Sequence, residues 1–330
     1  MQEMIKHLAE LYGPAGREEK VAAYIQGVMK PLVDEVYTDT MGSVVAVKRG
    51  SADGKKIMLA AHMDEIGVMI TDIDENGFLR FSNIGGLSPF TLIGQRAEFA
   101  DGTIGVFGFE KLDDIKDLKL NKMYIDIGAG SREEAMAKVN IGDSAVIHRE
   151  CIIQGQRLIG KAMDDRIGCA VLIETARRLE NSPHEIYFVF TTQEEVGLRG
   201  ARTAAYSVDP DYGIAVDVTT TGDTPEAHRM AVSLGKGAAV KVKDSSVISH
   251  PVVKDLLVNT AKTKGIAYQM EVLERGGTDA GSIHLTRSGV PTGAVSIPCR
   301  YVHTPGEMVD LGDVEACVDL LVAVLEGPWE

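Results

Sequence analysis

The feature that most limits the fold is a change of texture partway along the 330-residue chain. From about Val68 to Ile159, short segments alternate apolar and polar residues and are broken at Asn76-Gly77, Gly85-Gly86 and Asp101-Gly102. Such spacing signals β-hairpins. On either side the pattern is different. Ahead of it lie two helical periods, "MQEMIKHLAELYG" and "REEKVAAYIQGVMKPLV", then a hairpin pattern around Met41-Gly42 and the apolar run "KKIMLAAHMDEIG". Behind it, helices and strands alternate from Lys161 to the end, which implies a parallel or mixed sheet covered by helices.

The most hydrophobic runs are five to eight residues long, short of the roughly 18 needed to span a bilayer. The first segment carries charges through what would have to be the apolar core of a secretion signal, so it reads as an amphipathic helix. The formal charge of -14 and the lack of a Lys/Arg block argue against nucleic acid as a partner. Cys151, Cys169, Cys299 and Cys317 lie far apart, without metal or disulfide-framework spacing. Buried thiols in a reducing cytoplasm are expected.

In an open α/β sheet, ligands bind beyond the carboxyl ends of the strands. Acids and histidines collect at those places. "IMLAAHMD" ends in His62 and Asp64, "IYFVFTTQEE" in Glu194 and Glu195, "GIAVDVTT" near Asp217, and "GAVSIPCRYVH" runs on to His303. Asp164-Asp165 opens the helix that follows the hairpin-rich segment. Taken singly, Asp-Asp before a helix is an N-cap and Glu-Glu a solvated pair. Together they form a hydrolytic ligand set: imidazole and carboxylate suit zinc or cobalt, and the absence of thiolates argues against a structural zinc. His62 precedes the hairpin-rich segment and the other candidates follow it. The segment is therefore expected to be an insertion, residues 68–159, into one catalytic domain made of residues 1–67 and 160–330.

Two cations that together clamp a water and a carbonyl need about five protein ligands, one of them a bridging carboxylate. His62, Asp164, Glu195, Asp217 and His303 match that count. Adjacent residues of an extended segment point in opposite directions, so one of Glu194 and Glu195 binds metal and the other faces the water. Spacing leaves open which does which. Asp64 is placed to orient the His62 imidazole. The remaining histidines read as structural or surface residues.

Assembled in this way, the sequence resembles the TET-type dinuclear metallo-aminopeptidases. The resemblance runs through nine stretches in order, among them "GPAGREEKV", "AAHMDEIGVM", "GKAMDDRIGC", "TTQEEVGLRGA", "ERGGTDAGSI" and "IPCRYVHTP". It implies that Asp164 bridges two divalent ions (zinc, cobalt or manganese), with Glu195 and His303 completing one position and His62 and Asp217 the other. Glu194 then becomes the general base, Asp64 orients His62, Asp164 and Asp165 are joined by a cis peptide, and Thr278 and Asp279 lie near the substrate. The His-Thr-Pro run departs mildly from the family's more usual His-Ser-Pro. The inserted unit becomes a PDZ-like dimerisation domain, with homo-oligomers up to a tetrahedral dodecamer.

The function expected is removal of N-terminal residues from peptides. An N-acyl amino-acid deacylase or a carboxypeptidase is the alternative on the same fold, and a metal-independent glycoside hydrolase, which uses two carboxylates and leaves the histidines idle, is the alternative of another class.

Overall fold

The computed structural model describes residues 1–51 and 53–329. Among these, eleven strands form one mixed sheet. Its centre is parallel: Glu185–Thr191, Lys56–His62, Tyr212–Thr219 and Thr292–Arg300 lie side by side in that order. Their residues are buried almost throughout, as expected of parallel strands covered on both faces. Antiparallel strands flank them, the Glu35–Thr38/Val44–Lys48 hairpin on one side and Glu307–Asp310 on the other.

The alternation of side chains across each strand supplies two cores. Ile57, Leu59 and Ala61 face helices Gln2–Glu10, Glu19–Met29, Met163–Arg178, Pro251–Lys264 and Leu311–Glu326. Met58 and Ala60 face Arg199–Val208 on the opposite side. The last helix buries Val314, Cys317, Val318, Leu321, Val324 and Leu325, the stripe its period foretells. Fully burying a side chain of this size contributes about 1.5–3 kcal/mol. No helix among the described residues is long and apolar enough to cross a membrane, and all four cysteines are buried and unpaired.

The hairpin-rich segment closes into a six-stranded barrel that begins at Gly67 and ends at His148, with its own apolar core around Val68, Phe81, Phe107 and Ile125. The barrel departs from the expected 68–159 insertion at one end. Ile152–Gln154 and Arg157–Gly160 form a hairpin that belongs to the large sheet, because Arg157–Gly160 pairs with Glu307–Asp310. A two-stranded hairpin signal does not say which sheet it extends.

Candidate metal centre

The parallel register brings Thr191 opposite His62, so the Thr192–Glu195 turn leaves the sheet beside that histidine. Asp217 lies two residues before the end of the neighbouring strand, and His303 lies three beyond the end of the next. Asp164 arrives from the first turn of Met163–Arg178, where it and Asp165 are non-helical and joined by a cis peptide.

Asp164 lies between the two histidines. Its Oδ1 is 3.0 Å from His62 Nε2 and its Oδ2 is 3.1 Å from His303 Nε2. Around His62 Nε2 are also Glu194 Oε2 at 3.9 Å and Asp217 Oδ1 at 4.0 Å. Around His303 Nε2, Glu195 Oε1 lies at 3.1 Å. That oxygen is buried and makes no hydrogen bond, as expected of a lone pair aimed at a common cation. Ligand atoms of His62, Asp164 and Glu195 all lie within 4.8 Å of one another.

The electrostatics point the same way. Among the described residues no Lys or Arg forms an ion pair with Asp164, Asp165, Glu194, Glu195 or Asp217. Burial, and then the charges around them, push Glu194 and Asp217 well above the usual carboxylate range. Burial also raises Glu195, against its contact with His303. For Asp164, burial is outweighed by both imidazoles, which hold it low. Burial pulls His303 down, but Asp164 and Glu195 outweigh it and raise the imidazole to about 11. A cluster of buried acids this poorly compensated is costly unless cations enter it. The donor set, two imidazoles and three to four carboxylates, fits divalent ions of the zinc, cobalt or manganese type.

His62 Nδ1 contacts the backbone carbonyl of Asp64 at 3.0 Å, leaving Nε2 to face Asp164. The Asp64 carboxylate is farther from that nitrogen, at 3.6 Å, and is engaged elsewhere. Its Oδ1 accepts from the Glu194 N–H at 2.9 Å and its Oδ2 from the Glu195 N–H at 3.1 Å. Thr278 and Asp279 are buried; Asp279 Oδ2 accepts from Thr191 Oγ1 at 2.5 Å, while Asp279 Oδ1 and Thr278 Oγ1 have no hydrogen-bond partner.

Three acids that the sequence reading did not assign complete the scaffold. Asp165 Oδ2 accepts from the His62 N–H at 3.1 Å and its Oδ1 from the Gly168 N–H at 3.0 Å. Its oxygens also lie within ligand distance of His62 and Asp217, but both are occupied by backbone donors. Of the adjacent pair, then, Asp165 takes the capping role and Asp164 faces the imidazoles. Glu307 accepts from the His303 N–H at 2.7 Å through Oε1 and from the Asp164 N–H at 3.0 Å through Oε2. Glu18 Oε1 accepts from Gly16 N–H at 2.7 Å and Gln193 N–H at 3.1 Å. Below them, fully buried Arg166 donates to the carbonyls of Leu8, Leu11, Gly13 and Met63, tying the first helix to the His62 strand end. For Asp165, Arg166 and Glu307 the sequence signal is a charge close to a candidate ligand; Glu18 lies far from all of them.

The other histidines have local partners: His148 pairs with Glu98 at 2.8 Å, His184 Nε2 meets Gly327 O at 2.8 Å, and His250 caps Pro251–Lys264.

Residues 42–320 match the family model described as M42 glutamyl aminopeptidase. A relative from Acetivibrio thermocellus named "Putative aminopeptidase" is 55% identical over 326 residues, covering 98% of each chain. An aminopeptidase structure from the archaeon Desulfurococcus kamchatkensis has a TM-score of 0.95 at 41% identity, covering 98% of this chain and 94% of that one. The TET1 peptidase of Pyrococcus horikoshii, which can assemble into a tetrahedron or a large octahedral shell, has a TM-score of 0.87 at 32% identity, with 99% of each chain covered. Matched over most of its length, with its acids and histidines gathered at one end of the sheet, the chain belongs to the M42 glutamyl aminopeptidase family.

Proposed function

We propose that the protein is a metal-dependent aminopeptidase that releases N-terminal residues from peptides. The observation that carries this reading is the Asp164 carboxylate, whose two oxygens meet two different imidazoles at 3.0 and 3.1 Å. A single ion needs no such divided carboxylate; a bridging ligand between two ions does. Asp164, His62 and Asp217 would hold one divalent cation, and Asp164, Glu195 and His303 the other. When bound, such ions polarise a scissile carbonyl and make a water acidic near neutral pH.

The remaining steps belong to the chain. Glu194, adjacent in sequence to Glu195 but directed toward His62, takes the proton of the attacking water and delivers it to the departing amine. Asp64 holds the Glu194 and Glu195 backbones while its carbonyl orients His62. Thr278 and Asp279 form the substrate end, where the unpaired Asp279 Oδ1 is an acceptor for a protonated α-amine. The barrel serves as a PDZ-like dimerisation element for larger shells, supported by exposed Phe90, Ile104, Val106 and Ile141 on its surface. The unpaired cysteines support a cytoplasmic setting.

The test is hydrolysis of free and N-acetylated aminoacyl-p-nitroanilides by chelator-stripped protein to which zinc, cobalt or manganese is restored. Metal-dependent cleavage of free-amine substrates alone is expected. Cleavage of blocked substrates would point to a deacylase or endopeptidase, and silence on every aminoacyl substrate together with chelator-indifferent cleavage of p-nitrophenyl glycosides would point to the glycoside hydrolase. Glu194→Gln is expected to lower kcat by about 10² to 10⁴ with metal content unchanged; near-normal turnover would remove Glu194 from its role.

A further inference from the structure

The barrel reaches the metal centre through two glycines. Gly85 and Gly86 follow the barrel strand Leu79–Ile84. A Cβ on Gly86 would lie 2.7 Å from His303 Nδ1 and 3.1 Å from its Cε1. A Cβ on Gly85 would lie 2.9 Å from Glu195 Oε2 and 2.8 Å from Ile66 Cγ2. Contacts below 3.0 Å force something to move. Gly85 has φ +73, which by itself favours glycine. Gly86 carries no such backbone demand, so its missing side chain answers to the contact with His303 alone.

The two histidines are held in different ways. The His62 ring is fixed by its Nδ1 contact with Asp64 O. Among the described residues His303 Nδ1 has no hydrogen-bond partner, and the Gly86 backbone abuts that side of the ring. Ile147, from the barrel strand Ser144–His148, lines the same small cavity as Asp164, Glu195 and His303.

We infer that the Gly85–Gly86 turn is a positioning element for the Glu195–His303 half of the metal centre, so that the seating of the barrel on the large sheet sets the affinity of one of the two cations. The inference rests on the two-cation reading above. It makes the inserted barrel a wall of the site as well as a candidate oligomerisation element, and it links any displacement of the barrel to occupancy of one metal position while the other is spared.

The experiment is calorimetric titration of chelator-stripped protein with zinc, with cobalt(II) absorption as a second readout, on the wild type and Gly86→Ala. Residue 86 is exposed, so the metal-free variant should melt within about 2 °C of the wild type. The wild type is expected to take up two ions. Gly86→Ala should keep one binding event and weaken the other by about tenfold or more, the scale of lost ligand positioning, with a changed cobalt spectrum for the weakened position. Two unchanged events in Gly86→Ala would overturn the inference, as would equal weakening of both. A wild type that binds no divalent ion would instead sink the metal-centre reading, a separate failure.

Discussion

The two halves of the candidate metal centre are built differently. His62 and Asp217 lie at or near the ends of adjacent parallel strands and are almost wholly enclosed. Glu195 and His303 come from turns beyond the strands; the His303 side chain is 34% exposed and its backbone has φ +62. A sheet edge is fixed by many cooperative ladder bonds, whereas a turn is fixed by the few contacts made to it. The difference teaches where control can act: the first half is built into the strand ladders, and the second is contacted by Glu307 and by the Gly85–Gly86 turn of the barrel.

The largest contrast should come from deleting each histidine. His62→Ala is expected to abolish activity and to destabilise the metal-free protein by about 1–3 kcal/mol, because it leaves buried groups without their partner. His303→Ala should also abolish activity but destabilise the metal-free protein less than His62→Ala does, because the imidazole is partly exposed and water can replace part of its contact with Asp164 and Glu195. Thermal melts in excess chelator decide between this and an equal effect, which would erase the distinction between the halves.

A smaller effect should separate two acids of the scaffold. The two oxygens of Glu307 serve two different backbone amides, so Glu307→Gln must turn an NH₂ toward one of them. Metal affinity at the His303 position is expected to fall about 10- to 100-fold, with the His62 position little changed. Equal loss at both positions, measured by stepwise titration, would show that Glu307 supports the centre as a unit.

Glu18 offers the smallest effect. One oxygen accepts both of its amide bonds, so Glu18→Gln can keep them. Burial and the charge of Asp64 raise its carboxyl from near 4.5 to about 7. In that interval the folded state holds a proton that the unfolded chain has released, so stability falls as pH rises from about 4.5 to 7. Glu18→Gln should flatten that part of the metal-free stability profile without changing the order of metal binding. An unaltered slope would place the titration elsewhere.

Much of this was legible in the residues. Apolar runs ending at His62, Glu194 and Asp217 show a parallel sheet with its chemistry at one edge, because strand direction carries every such end to the same side. The interruption between His62 and Asp164 shows that something is inserted. Asp164 was named as a candidate ligand from the sequence, but the work of Asp165, whose oxygens accept from the His62 and Gly168 N–H groups, was not legible, since either acid can cap a helix. Nor was the work of Glu307, whose two amide partners lie 143 and 4 residues away.

The sequence by itself determined the alternation of elements, the candidate ligand types and the strand ends at which they gather, because local period and side-chain chemistry are written residue by residue. Tertiary structure alone decided which oxygen meets which imidazole, that Ile152–Gly160 extends the large sheet, and that two barrel glycines press against Glu195 and His303. Those outcomes depend on packing between segments distant in the chain, and no local pattern encodes a distance between them.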